Sequence, residues 1–323
     1  MIVKILIISL ILVEQLGLPS SFASRITKMI NRVEADKSST VFLISDKENI
    51  NEPLKIQTKK EVVNLFPFPL PIKKQNVPAF NSTCLSSCVI DYNTSTILFD
   101  NNKNKQLPMA SLAKIITAFI ILKDNNLDNL VTIKENSTKI AVEESQMGLI
   151  PGDKIKVKDL LYGLLVYSAN DGAKALATYK AGSEEKFIKL MNNETKELGL
   201  KNTHFTSVSG IDTPSQYSSA YDLALLFKCT VQNPLFLQMI NTKEYSFNSV
   251  NGTHYVLTNT DELLGIDSRI IGGKTGSTDQ AGRCFISLAS QNDHKLITVV
   301  MNCPDRFGET KNLLDWTYNS YSW

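Results

Sequence analysis

Two stretches near opposite ends of the folded part of the chain are rich in β-branched and aromatic residues interrupted by a polar turn. Residues 88–100 form two such runs around the turn at residues 93–95. Residues 284–303 repeat the arrangement around residues 291–294. Each stretch therefore predicts a β-hairpin.

Between the hairpins the apolar residues recur every three or four positions, as in helices that bury one face. This pattern covers residues 111–122, 157–180, 183–199 and 218–233. Strands at both ends with helices between them predict an α+β fold. We expect an antiparallel sheet built from both chain ends, with flanking helices and an inserted helical subdomain.

The first 23 residues have the pattern of an export signal. Lys4 precedes the apolar run at residues 5–13, and the small residues near position 23 suit cleavage before Ser24. The run is too short to span a bilayer. A buried first strand or an uncleaved anchor are the alternatives. We expect an exported protein of the periplasm or cell-wall space, with no membrane-spanning segment in the mature chain.

Residues 24–82 differ from the rest of the chain in having charge clusters, polar runs and alternating prolines at Pro67, Pro69 and Pro71. Such prolines favour an extended backbone. We interpret this range as a flexible tether, with a short extra domain as the alternative, and expect the folded domain to cover residues 83–323.

Composition narrows the class of partner. The chain has 323 residues, of which 43% are hydrophobic and 20% charged, with a net charge of +2. Because the basic residues are scattered, we expect no nucleic-acid partner. His204, His254 and His294 lie far apart and without acidic residues at metal-ligand spacing. We therefore expect no metal and no cofactor.

The cysteines would lie in a compartment that permits disulfides. They are Cys84, Cys88, Cys229, Cys284 and Cys303. Their odd number leaves at least one without an intramolecular partner. The sequence leaves the pairing open.

Ser111 and Lys114 are three residues apart at the start of an apolar helix, so hydroxyl and amine face the same side. The spacing alone is a weak signal, because Ser183 and Lys186 repeat it in a charged helix start. Ser-x-Asn at Ser168 and Lys-Thr-Gly at residues 274–276 follow in chain order. The order and context of the three motifs strengthen the signal.

On these motifs the chain from residue 83 to 316 resembles the serine-type D-alanyl-D-alanine carboxypeptidases, the low-molecular-mass penicillin-binding proteins. The similarity extends to residues 147–177, 198–205, 210–226 and 312–316. It implies a β-lactamase/transpeptidase-like fold and removal of the terminal D-alanine from peptidoglycan stem pentapeptides. It also implies that β-lactams inhibit covalently.

The resemblance implies a separate role in the reaction for each motif residue. Ser111 is the expected nucleophile, and Lys114 takes its proton if apolar burial and the charge of Lys274 keep the amine neutral. Ser168 is expected to donate a proton to the leaving amine, and Asn170 to align Lys114 with the substrate. Lys274 and Thr275 are expected to bind the terminal carboxylate, and Gly276 to let the strand approach the substrate. The N–H groups of Ser111 and Ser277 are expected to form the oxyanion hole.

Several positions depart from the family pattern. Ala113 replaces a more usual threonine, Ala169 a glycine and Ser277 a bulkier residue. The sequence ends at Trp323, whereas many relatives continue into a β-rich second domain and an anchoring helix. We expect the three substitutions to affect substrate preference more than catalysis.

Three alternatives share parts of this pattern. An endopeptidase of the same family would cut peptide cross-links with the same motifs. A class A β-lactamase needs a glutamate to activate the deacylating water, and the region after Ser168 lacks that family's Glu-x-x-Leu-Asn loop. A non-catalytic cell-wall-binding module would have a damaged motif, and all three motifs are intact.

Overall fold

The computed structural model describes residues 68–124 and 126–323. The predicted signal peptide and the tether as far as residue 67 lie outside the described residues and remain predictions. The strands are β1 Ile72–Lys73, β2 Ser86–Asp91, β3 Ile97–Asn101, β4 Leu130–Thr132, β5 Lys154–Lys156, β6 Glu244–Asn248, β7 His254–Thr258, β8 Ile270–Thr278, β9 Gly282–Gln291, β10 His294–Cys303 and β11 Tyr321–Ser322. The α-helices are α1 Lys114–Leu122, α2 Val157–Leu165, α3 Asn170–Ala181, α4 Glu184–Glu197, α5 Ala220–Thr230, α6 Pro234–Ile240 and α7 Arg306–Ser320.

Five antiparallel strands form the central sheet in the order β3-β2-β10-β9-β8. The hairpin β2-β3 joins the hairpin β9-β10 through pairing of β2 with β10, where Val89 lies opposite Thr298. The two predicted hairpins and their union in one sheet are confirmed. The order leaves β8, the strand that carries Lys274, at an edge of the sheet.

Alternate residues of the sheet belong to two separate hydrophobic clusters. On one face Val89 and Val300 pack with Leu313 of α7. On the other face Ile90 and Val299 join the larger cluster, which includes α1 and α5. Because side chains of a strand point alternately to opposite faces, helices can cover the sheet on both sides.

Helix α1 runs through the middle of the helical subdomain, against α2, α3, α4 and α5. Ile115 and Ile116 are fully buried. A helix this apolar is typical of a protein core, where neighbouring helices cover every side. Because Lys114 is the first residue of α1, the same packing removes this lysine from solvent.

The helical pattern at residues 157–180 is divided in the structure between α2 and α3. Ser168 lies in the connection and has a φ of 66°. The N–H of Ala169 donates to the carbonyl of Gly163 at 2.9 Å and closes the turn. A left-handed conformation at a non-glycine residue is strained by about 1–3 kcal/mol and is often found at functional sites.

The last part of the predicted tether packs on the domain. Strand β1 pairs with β11 at the C-terminal end. The Phe80 ring lies 5.5 Å from that of Phe99 and 6.1 Å from that of Trp316. The indole N–H of Trp316 donates to the carbonyl of Pro78 at 2.8 Å. Residues 72–80 thus contact the folded domain although they precede residue 83, where the sequence predicts that it begins.

A disulfide joins Cys84, just before β2, to Cys303 at the end of β10. It links two neighbouring strands whose cysteines are 219 residues apart in sequence. Cys88 and Cys284 are buried and free, and Cys229 is exposed and free. The pairing depends on strand register, which explains why sequence spacing left it open.

Within residues 68–124 and 126–323 no single helix is long and apolar enough to cross a membrane. Helices α5 and α6 meet the criteria of length and composition only as a pair, with a bend of 116° between them.

Candidate active site

Ser111 lies in the 3-10 helix Ala110–Ala113, directly before α1. Ala110 has a φ of 50°, and the backbone of Gly210 lies against its carbonyl group. The Ser111 side chain is partly exposed, whereas Lys114 is fully buried. A strained turn thus presents the hydroxyl at the surface while the helix behind it enters the core.

Three oxygen atoms surround the amine of Lys114. The Nζ atom lies 2.8 Å from Ser111 Oγ, 2.6 Å from Asn170 Oδ1 and 2.8 Å from the carbonyl oxygen of Ser209. The structure therefore joins Ser111, Lys114 and Asn170 as the motifs predict. Ser209 is a fourth member that no motif contains.

The environment of Lys114 favours the neutral amine. Burial lowers its pKa well below the usual value, and the nearby charge of Lys274 lowers it further. Glu144 and Asp171 act in the opposite direction. Because the lowering effects prevail, the amine can accept a proton from the Ser111 hydroxyl.

Ser168 and Lys274 form a second buried pair. Lys274 Nζ lies 2.8 Å from Ser168 Oγ and 2.9 Å from the carbonyl oxygen of Thr275. Burial, and then the charge of Arg306, lower the pKa of Lys274 to about 7, against the opposing effect of Asp261. The pair can therefore hold or release a proton near neutral pH.

The edge strand β8 lies beside the nucleophile. A Cβ on Gly276 would be 3.1 Å from the backbone nitrogen of Ser111, so only glycine permits this approach without a shift. Thr275 is buried, with its Oγ1 2.5 Å from Thr260 Oγ1, and Ser277 is exposed. Within the described residues no other strand pairs with the outer edge of β8, and such an edge can accept an extended peptide.

The predicted residues do not include two charged groups near Lys274, the buried carboxylate of Asp261 and the partly buried guanidinium of Arg306. Arg306 Nη1 donates to the carbonyl of Gly276 at 3.1 Å. Burial raises the pKa of Asp261 to about 6. Within the described residues, Asp261 Oδ2 and Arg306 Nε make no hydrogen bond. Neither residue belongs to a short motif, so nothing in the local sequence marks them.

Glu144 is another residue that the sequence did not reveal. Its Oε2 atom accepts a hydrogen bond from Asn170 Nδ2 at 2.6 Å. The residue precedes the similar stretch at residues 147–177 and belongs to no motif. A glutamate thus reaches the site from a loop before Ser168, and not from the region after it.

The second Ser-x-x-Lys copy has a structural explanation. Ser183 is the N-cap of α4, and its Oγ accepts from the backbone N–H of Lys186 at 3.3 Å. Of the positions that depart from the family pattern, Ala113 and Ala169 are fully buried, and Ser277 faces solvent on the edge strand. The exposed Ser277 is therefore the departure best placed to meet a substrate.

Among solved structures, the Streptomyces K15 DD-transpeptidase is similar, with a TM-score of 0.72 and 30% sequence identity. The match covers 75% of this chain and 100% of that chain. The α+β fold predicted from the sequence is thereby confirmed as the fold of a DD-peptidase.

Residues 73–305 match the profile of peptidase family S11, described as D-alanyl-D-alanine carboxypeptidase. The chain belongs to this family. The D-alanyl-D-alanine carboxypeptidase DacC of Escherichia coli is 35% identical over 262 residues, 77% of this chain and 64% of the relative. The carboxypeptidase DacB2 of Mycobacterium tuberculosis is 31% identical over 251 residues, 75% of this chain and 85% of the relative. The chain thus spans less than two thirds of DacC.

Proposed function

We propose that this protein is a serine-type D-alanyl-D-alanine carboxypeptidase that removes the terminal D-alanine from peptidoglycan stem pentapeptides. The contact that carries the proposal is the 2.8 Å hydrogen bond between Ser111 Oγ and the buried Lys114 Nζ. It pairs a weak nucleophile with an amine that can act as its base. Family membership supports the class of substrate.

In the first step Ser111 Oγ bonds to the carbonyl carbon of the penultimate D-alanine, and its proton passes to neutral Lys114. The carbonyl π electrons move to the oxygen, where the backbone N–H groups of Ser111 and Ser277 would stabilise the negative charge. Asn170 Oδ1, 2.6 Å from Lys114 Nζ, keeps the amine in line with the hydroxyl.

In the second step the carbon–nitrogen bond breaks and the nitrogen of the terminal D-alanine takes a proton. Ser168 is the proposed donor, because the adjacent Lys274 Nζ can replace its proton. The proton taken up by Lys114 compensates for the one that leaves through Ser168. Lys274 and Thr275 would bind the terminal carboxylate, while Gly276 lets the peptide lie close to β8.

Water then bonds to the ester carbonyl carbon and passes one proton through Ser168 to Lys274. The bond from that carbon to Ser111 Oγ breaks, Lys114 returns its proton to Ser111, and the shortened stem peptide leaves as a carboxylic acid. No step requires a metal, a cofactor or a nucleic acid. A β-lactam would acylate the same hydroxyl because its strained amide presents the same carbonyl group. We propose that the protein acts in the periplasm or the cell-wall space, where such a substrate lies. The export signal expected at residues 1–23 supports this location.

The test is mass spectrometry of muropeptides that carry pentapeptide stems, after incubation with the protein. We expect the loss of one D-alanine per stem, and no loss with the Ser111→Ala variant. Intact pentapeptides after incubation with a folded wild-type protein would refute the proposal.

Transpeptidation is a second candidate, favoured by the similarity to the Streptomyces K15 DD-transpeptidase. The acyl-enzyme would then be captured by an amine and not by water. Adding glycylglycine to the same assay tests this, since a stem peptide extended by the dipeptide would reveal transfer. Conversion of dimeric muropeptides to monomers would instead support the endopeptidase alternative.

A further inference from the structure

A chain of hydrogen bonds leads from Ser111 to a glutamate outside the three motifs. Lys114 Nζ donates to Asn170 Oδ1 at 2.6 Å and lies 2.8 Å from Ser111 Oγ. The other end of the same amide, Nδ2, donates to Glu144 Oε2 at 2.6 Å. Lys114 and Asn170 are buried, whereas Glu144 is partly exposed. The glutamate therefore forms the solvent end of a buried chain.

The loop that carries Glu144 is attached to α3 by several further bonds. The backbone N–H of Asn170 donates to the carbonyl of Ser145 at 2.8 Å. The carboxylate of Asp171 accepts the N–H groups of residues 147–149 at 2.9 to 3.1 Å. Both the backbone and the side chain of Asn170 thus bind this loop, so the position of Glu144 is determined by the fold.

The carboxylate of Glu144 selects one orientation of the Asn170 amide. A carboxylate can only accept hydrogen bonds, so the NH₂ group of Asn170 must face Glu144 and the oxygen must face Lys114. In the opposite orientation the NH₂ group would face the Lys114 amine, and the carbonyl oxygen would face the carboxylate. Because the bond to Glu144 is charge-assisted, it is stronger than a bond to water.

We propose that Glu144 is a positioning residue for acylation, which holds the Asn170 amide in the orientation that aligns Lys114 with Ser111. The proposal rests on the serine chemistry proposed above. It differs from the role of the deacylating glutamate in class A β-lactamases, because Glu144 acts here through Asn170 on the first step.

The charge of Glu144 should affect how the acylation rate depends on pH. Burial and Lys274 lower the pKa of Lys114, while Glu144 and Asp171 raise it. Removing the Glu144 charge should therefore lower the pKa of Lys114 further. Since acylation requires the neutral amine, its rate should then persist to lower pH.

Three variants separate the effect of the Glu144 charge from the effect of its hydrogen bond to Asn170. Glu144→Gln keeps an oxygen that can accept from Asn170 Nδ2 but removes the charge, and Glu144→Ala removes both. Glu143→Gln is the matched control, since Glu143 is adjacent in the same loop and its side chain is exposed. The measurement is the rate constant for acylation by a neutral ester substrate as a function of pH.

We expect Glu144→Gln to move the acid limb of the profile to lower pH and to keep the plateau within about twofold. Glu144→Ala should lower the plateau about tenfold, the effect of losing one charge-assisted hydrogen bond. Glu143→Gln should match the wild type in both respects. Thermal melting confirms that each variant is folded.

Superimposable profiles for the wild type and both Glu144 variants would overturn the proposal. So would a Glu144→Gln variant that acylates normally but releases the acyl group more slowly, because the glutamate would then act on the deacylating water. A wild-type protein that a labelled penicillin does not acylate at Ser111 would instead contradict the proposed function. The two failures are therefore distinguishable.

Discussion

Gly210 lies against the backbone of Ala110 so closely that a side chain at residue 210 would overlap the Ala110 carbonyl oxygen. The preceding residue, Ser209, accepts a hydrogen bond from Lys114 through its own carbonyl. Residues 209–210 therefore support the strained turn beside Ser111 and also contact the amine of Lys114, the proposed base.

Replacing Gly210 with alanine should disturb this turn. Gly210 has a φ of 92°, and Gly182 has a φ of 83° with no atom near its would-be Cβ. Gly182→Ala is therefore a control for backbone strain alone, which is about 1 kcal/mol. We expect Gly210→Ala to lower Tm more than the control does and to reduce acylation at least tenfold, since the nucleophile is displaced. Equal Tm and acylation rates for the two variants would show that the contact with Ala110 is unimportant.

A labelled penicillin should acylate Ser111, because its strained amide meets the same nucleophile as the peptide. Ser111→Ala should abolish labelling. Ser183→Ala should retain it, because Ser183 only caps α4. Labelling is measured by gel fluorescence and by mass spectrometry of the labelled peptide. Labelling that survives Ser111→Ala would contradict the assignment of the nucleophile.

The pH dependence of acylation should depend on Lys274. Its positive charge lowers the pKa of Lys114, so Lys274→Gln should raise that pKa and move the acid limb of the rate to higher pH. Substrate binding should also weaken. A neutral ester substrate keeps carboxylate binding from masking the effect. Lys186→Gln, in the exposed Ser-x-x-Lys copy, is the control.

An acid limb that stays in place or moves to lower pH in Lys274→Gln would contradict this role. A shift of the same size in Lys186→Gln would show that the effect comes from net charge and not from the contact geometry.

Two deletions should distinguish the tether from the fold. Removing residues 24–67 should leave Tm and turnover of a small soluble peptide nearly unchanged, because no catalytic motif lies there. Removing residues 24–80 also removes β1 and Phe80, which packs with Phe99 and Trp316. We expect the longer deletion to destabilise the domain by about 2–4 kcal/mol through lost aromatic burial.

Thermal melting of the two deletion proteins and their rates with the soluble peptide are the measurements. Identical melting of both proteins would show that residues 68–80 do not contribute to stability. A large loss of activity in the shorter deletion would show that residues 24–67 belong to the catalytic domain.

Local patterns in the sequence determined most of the secondary structure and the pairing of Ser111 with Lys114. The hairpins and the helices follow from periods of two and of three to four residues, which depend on neighbours within a few positions. The relation of Ser111 to Lys114 is also local, because one helical turn brings them to the same side. The pattern does not reveal the division of residues 157–180, since distant residues also hold the strained turn at Ser168. Lys274 bonds to the Ser168 hydroxyl, and Ser145 Oγ donates to the carbonyl of Tyr167.

The tertiary structure decided what surrounds those motifs. Helices packed around α1 bury Lys114, and that burial is the main cause that lowers the pKa of its amine, ahead of the charge of Lys274. Glu144 reaches Asn170 through a loop that is held by the Asp171 carboxylate and by the backbone N–H of Asn170. The partner of Cys84 follows from the register of β2 with β10. These features combine residues far apart in the chain, and no single stretch of sequence carries the information that brings them together.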